Sequence, residues 1–306
     1  MHTHLPNVPA FVIIGAQKCG TTSLHGYLSQ HPALYLSPNK EPLFFNCPGD
    51  GSPPPWNDLE NYRSLVASPT DYSRLFDGAN GRLTGEGSTM YLPDPSAPGR
   101  LLQASPGVKV IALVRDPGAR ALSAWRMWRR ASLEPLEFKD AISSEVSRKL
   151  AGAGYGRDYV ENGRYLRHLD RWRDALGDDR VLILKSDDLG EQPVSTLIRI
   201  FDFLEVDSAP ALTIDLARRA VGDRVPRNYR LAAYVRHGQA AKFARSVLPS
   251  PIRSRLGAAI KTANSFPAQS IEIDPELLNF VREQLAEDTR ELAHRMGWDL
   301  ATWLPH

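Results

Sequence analysis

The stretch Phe11–Ser23, FVIIGAQKCGTTS, decides the fold. Phe11–Ile14 is apolar and β-branched, which reads as a strand buried on both faces. The chain then turns through Gly15-Ala-Gln-Lys18-Cys-Gly20 and opens a helix at Thr21-Thr22-Ser23. Strand, glycine-bounded loop and helix start make a phosphate cradle. Amide N–H groups at a helix N-terminus face the ligand, and the helix dipole favours an anion. Gly15 and Gly20 let the backbone come close, and Thr21, Thr22 and Ser23 add hydroxyls. The spacing is nearly that of the P-loop, G-x-x-x-x-G-K-[ST]. Here Thr21 stands where that lysine belongs, and the lysine lies inside the loop as Lys18. A lysine so placed faces a shorter anion than a nucleoside triphosphate. The plainer reading of the same residues is a surface turn.

Working outward, Leu34–Leu36, Arg82–Glu86, Val108–Val114 and Arg180–Lys185 read as further strands. Helical patterns lie between them: Ser23–Gln30, Asp58–Val66, Thr70–Phe76, Ser96–Ala104, Gly118–Arg130, Glu137–Lys149 and Gly163–Leu176, with Pro193–Phe203 after the last strand. Strands alternating with helices predict a three-layer α/β domain, P-loop-like, with a mostly parallel central sheet flanked by helices. The expected layout is one domain over 1–306, with a core at 10–205 and a helical lid and packing region at 206–306.

Two further groups carry chemistry. Val108–Val114 runs into Arg115-Asp116-Pro117, so Arg115 sits at a strand's C-terminal end, where α/β sheets bind ligands. Arg120, Ser123 and Arg126/Met127 share a helix face. Arg115 and Ser123 together can grip a second phosphate, or merely cap a strand and pack. In Lys40-Glu41-Pro42-Leu43-Phe44-Phe45, Glu41 stands near the phosphate loop if Leu34–Leu36 runs back across it. It then reads as a candidate general base, or as a surface partner of Lys40. Glu86 is the other carboxylate in reach of that role.

Composition narrows the class. Net charge is only +2, hydrophobic residues make 42% and charged residues 24%, which describes a globular protein with no overall case for nucleic acid. Two cysteines, Cys19 and Cys47, cannot frame a disulfide scaffold. With no apolar leader and no run long enough to span a bilayer, the expected location is cytoplasmic. From Ala217 to Lys261 the chain is basic, including Arg224 and Arg227. That segment reads as a solvated amphipathic helix pair, as a lid over an anion, or as a surface for an anionic substrate or a peripheral membrane contact. Asp274–Arg295 reads as one capped helix ended by Gly297, with Trp298 and Trp303 pinning the C-terminus.

Taken together, IIGAQKCGTTSL, HPALYLSPNKEPLFF, VIALVRDPGARALSAW and NGRYLRHLDRWRDALGDDRVLILKSDDL resemble the sulfotransferase family that uses 3′-phosphoadenosine-5′-phosphosulfate (PAPS), nearest its heparan-sulfate-type and bacterial carbohydrate-type branch. The likeness runs from about Phe11 to Leu204. It implies that Lys18, Cys19, Gly20, Thr21, Thr22 and Ser23 bind the 5′-phosphosulfate, with Lys18 at the bridging oxygen. It implies that Arg115 and Ser123 hold the 3′-phosphate, that Glu41 is the base, and that Arg224 and Arg227 belong to a late loop closing over the nucleotide. The product would be adenosine-3′,5′-bisphosphate (PAP), no metal would be needed, and the acceptor would be a small molecule, a glycolipid or a carbohydrate. Two departures stand out. Glu86-Gly87-Ser88 replaces the usual E-K-S, removing a second active-site lysine, and Ser186-Asp187 replaces an aromatic and a Glu before D-L. The competing readings are a P-loop small-molecule kinase, which wants a lysine at position 21, and a catalytically silent nucleotide-binding protein, which would lack Lys18 or Glu41.

Overall fold

The structure, a computed structural model, describes residues 5–217, 224–226, 265–267 and 275–306. Strand β1 (Phe11–Gly15) is buried along its whole length, as an apolar run covered on both faces must be. In chain order follow α1 (Thr21–Leu28), β2 (Leu34–Leu36), α2 (Pro69–Arg74), β3 (Leu83–Gly87), α3 (Ala97–Ala104), β4 (Lys109–Val114) and α4 (Pro117–Arg130). Then come α5 (Phe138–Ser143), α6 (Glu145–Leu150), α7 (Tyr165–Leu176), β5 (Val181–Lys185), α8 (Ser186–Glu191) and α9 (Pro193–Leu204). The last elements are β6 (Arg224–Pro226), β7 (Ser265–Pro267), α10 (Pro275–Gln284) and α11 (Ala286–Met296).

The main sheet has the order β2-β3-β1-β4-β5, and every pairing in it is parallel. Each connection between its successive strands carries a helix, which is what lets parallel neighbours join. β1 is central and the chain departs from it to both sides, so its C-terminal end is a topological switch point where ligands bind. Phe11 fixes the β1–β3 contact: a Cβ on its neighbour Gly85 would come within 2.2 Å of the Phe11 ring. A second hydrophobic cluster, built on Trp125, Trp128, Phe138 and Tyr159, lies beside the sheet core and takes in Val281 and Leu285 from α10 and its end. β6 and β7 form a separate antiparallel pair.

The expected Asp58–Val66 helix is only a 3₁₀ turn at Leu59–Asn61. Its side chains are engaged elsewhere: Asp58 accepts the Gly154 N–H (2.9 Å) and pairs with Arg157 (3.1 Å). The expected Glu137–Lys149 helix is two short helices, because the Glu145 carboxylate accepts the N–H groups of Val160 and Glu161, both at 2.8 Å. The expected C-terminal helix breaks at Leu285, which is fully buried. Gly297 ends α11 at φ 62°, and Trp303 is buried in the main core while Trp298 packs against it. Most of the basic 217–261 segment, Arg227 and Asp274 lie outside the described residues, and Arg224 is described only by its strand pairing. Among the described residues no helix is long and apolar enough to cross a membrane.

Candidate active site

Loops leaving the C-terminal ends of all five parallel strands meet around one cavity of about 420 Å³. From β1 come Lys18 and Gly20–Ser23; from β2, Lys40 and Glu41; from β3, Thr89. Arg115, Ser123 and Met127 follow β4, and Ser186, Asp187 and Glu191 follow β5.

The β1 loop turns through Lys18 at φ 72° and Gly20 at φ 88°. A lysine in the left-handed region is a backbone cost of the kind that collects at functional sites. Gly20 is the N-cap of α1 and offers no side-chain cap, so the start of the helix is of the kind at which backbone amides meet an anion. Burial, then the neighbouring Arg130, Lys40 and Arg115 cations, push the Lys18 ammonium down to about 8. The site is short of negative charge, and a bound anion would restore Lys18 to its ordinary range.

Glu41 also sits at positive φ (65°). Its N–H donates to the Gly87 carbonyl (2.9 Å) and its own carbonyl accepts from the Ser64 hydroxyl (2.7 Å). Its carboxylate accepts from the Thr89 N–H (2.7 Å), from the Thr89 hydroxyl (3.1 and 3.2 Å) and from Lys40 Nζ (2.7 Å). Glu41 thus makes the expected pair with Lys40 and also lines the cavity. Thr89, which orients it, lies 48 residues away in sequence, a contact that no local pattern announces.

Arg115 and Ser123 reach the same cavity from the end of β4 and two turns into α4. Arg120 does not: it is fully buried and donates to the Tyr159 carbonyl. Cys19 does not line the cavity either. Its N–H is used by the Ala16 carbonyl (3.2 Å), its thiol lies 4.0 Å from the Tyr165 hydroxyl, and burial pushes that thiol up to about 11. The loop alternates, sending Lys18 to the ligand side and Cys19 into the core. Within residues 46–56 and 127–156, only Met127 lines the cavity. Trp56 packs against Tyr62 (4.8 Å) and Tyr155 (5.6 Å) instead.

Glu86 is fully buried and away from the cavity. Its carboxylate meets the hydroxyls of Tyr72 (2.9 Å), Tyr91 (2.8 Å) and Ser88 (2.7 Å). Burial pushes it up to about 7 despite those hydrogen bonds. From about 4.5 to about 7 the unfolded chain therefore loses this proton first. Stability from this group is greatest at the acid end of that window, falls as pH rises and levels off above it. Glu86→Gln should remove this slope, gaining roughly 2–3 kcal/mol on wild type between pH 5 and pH 8. Urea unfolding of both proteins at the two pH values measures it, and parallel behaviour would mean that Glu86 is ionised in the fold. Among the described residues no three His, Cys, Asp or Glu side chains are grouped to hold a metal ion.

A five-stranded parallel sheet with a phosphate cradle at its switch point defines the P-loop-like α/β class. The family model described as the sulfotransferase domain matches residues 9–226, and the chain belongs to that family. It is 29% identical over 208 residues to human bifunctional heparan sulfate N-deacetylase/N-sulfotransferase 2, a match covering 65% of this chain and 22% of that protein. It is 28% identical over 202 residues to human heparan sulfate glucosamine 3-O-sulfotransferase 3B1, covering 64% of this chain and 46% of that protein. The chain thus matches about a fifth of the first relative's length and under half of the second's. Among solved structures, a sulfotransferase from Alicyclobacillus acidocaldarius superposes with a TM-score of 0.71 at 26% identity, over 96% of this chain and 98% of that one.

Proposed function

We propose that the protein transfers a sulfuryl group from PAPS to a hydroxyl or amine of a carbohydrate, glycolipid or small-molecule acceptor. The observation that carries this reading is the meeting, in one cavity, of Lys18 beside the α1 N-terminus, Arg115 with Ser123, and the Glu41 carboxylate. Lys18 with the α1 amides suits a 5′-phosphosulfate, and Arg115 with Ser123 suits a 3′-phosphate. The α1 start, which has no side-chain cap, and the depressed Lys18 ammonium fit a nucleotide bearing two such anionic groups. Heparan sulfate in the names of both human relatives favours a carbohydrate acceptor.

Sulfuryl transfer resembles phosphoryl transfer: it passes in line from the donor's bridging oxygen to the acceptor atom and depends on positioning and charge stabilisation. Glu41, held by Thr89 and Lys40, takes the acceptor's proton. Lys18, protonated, meets the negative charge that develops on the bridging oxygen as the sulfur–oxygen bond breaks. Arg115 and Ser123 fix the far end of the nucleotide. We place the protein in the cytoplasm, supported by two buried, unpaired cysteines.

Calorimetric titration with PAP and with ATP-Mg²⁺, each repeated on Arg115→Ala, tests the donor. Metal-free binding of PAP that weakens in Arg115→Ala is expected. Binding of ATP-Mg²⁺ with indifference to PAP would replace the reading with a kinase.

A further inference from the structure

The corner that carries Arg115 is braced by helices from the far end of the chain. The Asp116 carboxylate caps α4, accepting the N–H of Gly118 (2.9 Å) and, more weakly, of Ala119 (3.5 Å). The same carboxylate receives Arg282 of α10 in a two-point grip, Nη2 at 2.5 Å and Nε at 3.3 Å, and both side chains are largely buried. α10 sits hard on this turn. A Cβ at Gly118 would lie 3.1 Å from the Leu278 carbonyl oxygen, and one at Gly163 would lie 2.7 Å from Leu285. On the other side the Tyr165 hydroxyl donates to the Arg115 carbonyl (2.8 Å). The α7 segment holding Tyr165 is tied by Leu166 N–H to Asp288 of α11 (3.4 Å). Both neighbours of the Arg115 backbone are thus held by one C-terminal helix pair.

We infer that Arg282 is a positioning residue for the 3′-phosphate grip, acting through Asp116 to fix the start of α4 and with it Arg115 and Ser123. A bidentate pair between a guanidinium and a carboxylate gives direction as well as attraction. Little solvent screens this one, and the carboxylate it orients is itself the helix cap. Loosening the pair leaves the capped turn free to shift, and Arg115 and Ser123 move relative to Lys18 on the separate β1 loop. The inference rests on the sulfotransferase reading.

The test separates the two. PAP and 5′-AMP, which lacks the 3′-phosphate, are titrated into wild type, Arg115→Ala, Arg282→Met, Arg282→Lys and Arg115→Ala/Arg282→Met, with thermal melts of each. If wild type does not prefer PAP to 5′-AMP, the donor reading fails, and the inference with it. If it does, Arg282→Met is expected to weaken PAP about tenfold and to leave 5′-AMP unchanged. Arg282→Lys should recover part of the loss, and the double variant should weaken PAP by clearly less than the two single losses combined, since both act on the one grip of Arg115 and Ser123. Equal weakening of both ligands, no change in either, or additive losses would overturn the positioning role while sparing the donor reading. Should Arg282→Met fail to fold, Asp116→Asn decides the matter by the same titrations. It keeps the oxygen that caps α4 and removes the charge that Arg282 grips.

Discussion

Lys18→Ala is expected to lower the rate of sulfuryl transfer by about 10³-fold while the protein stays folded. The proposed transition state develops its new negative charge on one bridging oxygen, and Lys18 is the cation that the β1 loop brings to the cradle. In a buried site that charge is worth far more than in water, because the lysine is already in place and needs no reorganisation. In the proposed complex Arg115 and the α1 amides grip other parts of the nucleotide, so PAP should still bind to Lys18→Ala, though more weakly. The loss should therefore fall mainly on kcat. The pH profile gives a second reading. Lys18 serves only when protonated, and in the free protein it is pushed down to about 8. Activity per free enzyme, kcat/KM, should fall about tenfold per pH unit above that value. Lys18→Arg keeps a cation that does not deprotonate, so its residual activity should lose the alkaline limb. Full activity in Lys18→Ala, or an unchanged limb in Lys18→Arg, would move the leaving-group role elsewhere.

What the sequence made legible follows from how each element is stabilised. β1 and β4 are buried on both faces, so they appear as unbroken apolar runs, and the glycine-bounded loop after β1 announces its own turn. That Lys18, Arg115, Ser123 and Glu41 would come to one place was readable because each follows a strand end or a motif of fixed spacing. The misread positions are decided by contacts distant in sequence. Which loop residue faces inward, Lys18 or Cys19, depends on Tyr165 and the core beneath. The breaks at Ser144 and Leu285 come from a carboxylate serving another loop and from a leucine drawn into the second cluster. Thr89 on Glu41, and Arg282 on Asp116, are pairings across the fold that leave no periodic trace.

Glu41→Gln should cut kcat by about 10²- to 10⁴-fold and leave PAP affinity unchanged or slightly tighter. The substitution keeps size and shape, and the amide oxygen can still accept the Thr89 N–H that anchors the carboxylate at 2.7 Å. What disappears is the capacity to take a proton from the acceptor. A negative charge also leaves the cavity shared with Lys18 and Lys40, which favours a polyanion there. A structural role for Glu41 predicts the opposite pattern. Loss of the Lys40 pair would then lower the melting temperature, and both ligand affinity and turnover would decline together. Glu86→Gln is the control, a nearby carboxylate that is fully buried and walled off from the cavity, and its turnover should stay near wild type. Glu41→Asp sharpens the distinction further. It restores a base but draws it back by one methylene, and a displacement on the order of 1 Å at a reacting centre can itself cost about 10²-fold. If Glu41→Asp recovers full turnover, the carboxylate's charge matters and its position does not, and proton transfer runs through an intervening water. If both variants turn over like wild type, Glu41 is not the base, and the acceptor oxygen must lose its proton to another group at the cavity's rim.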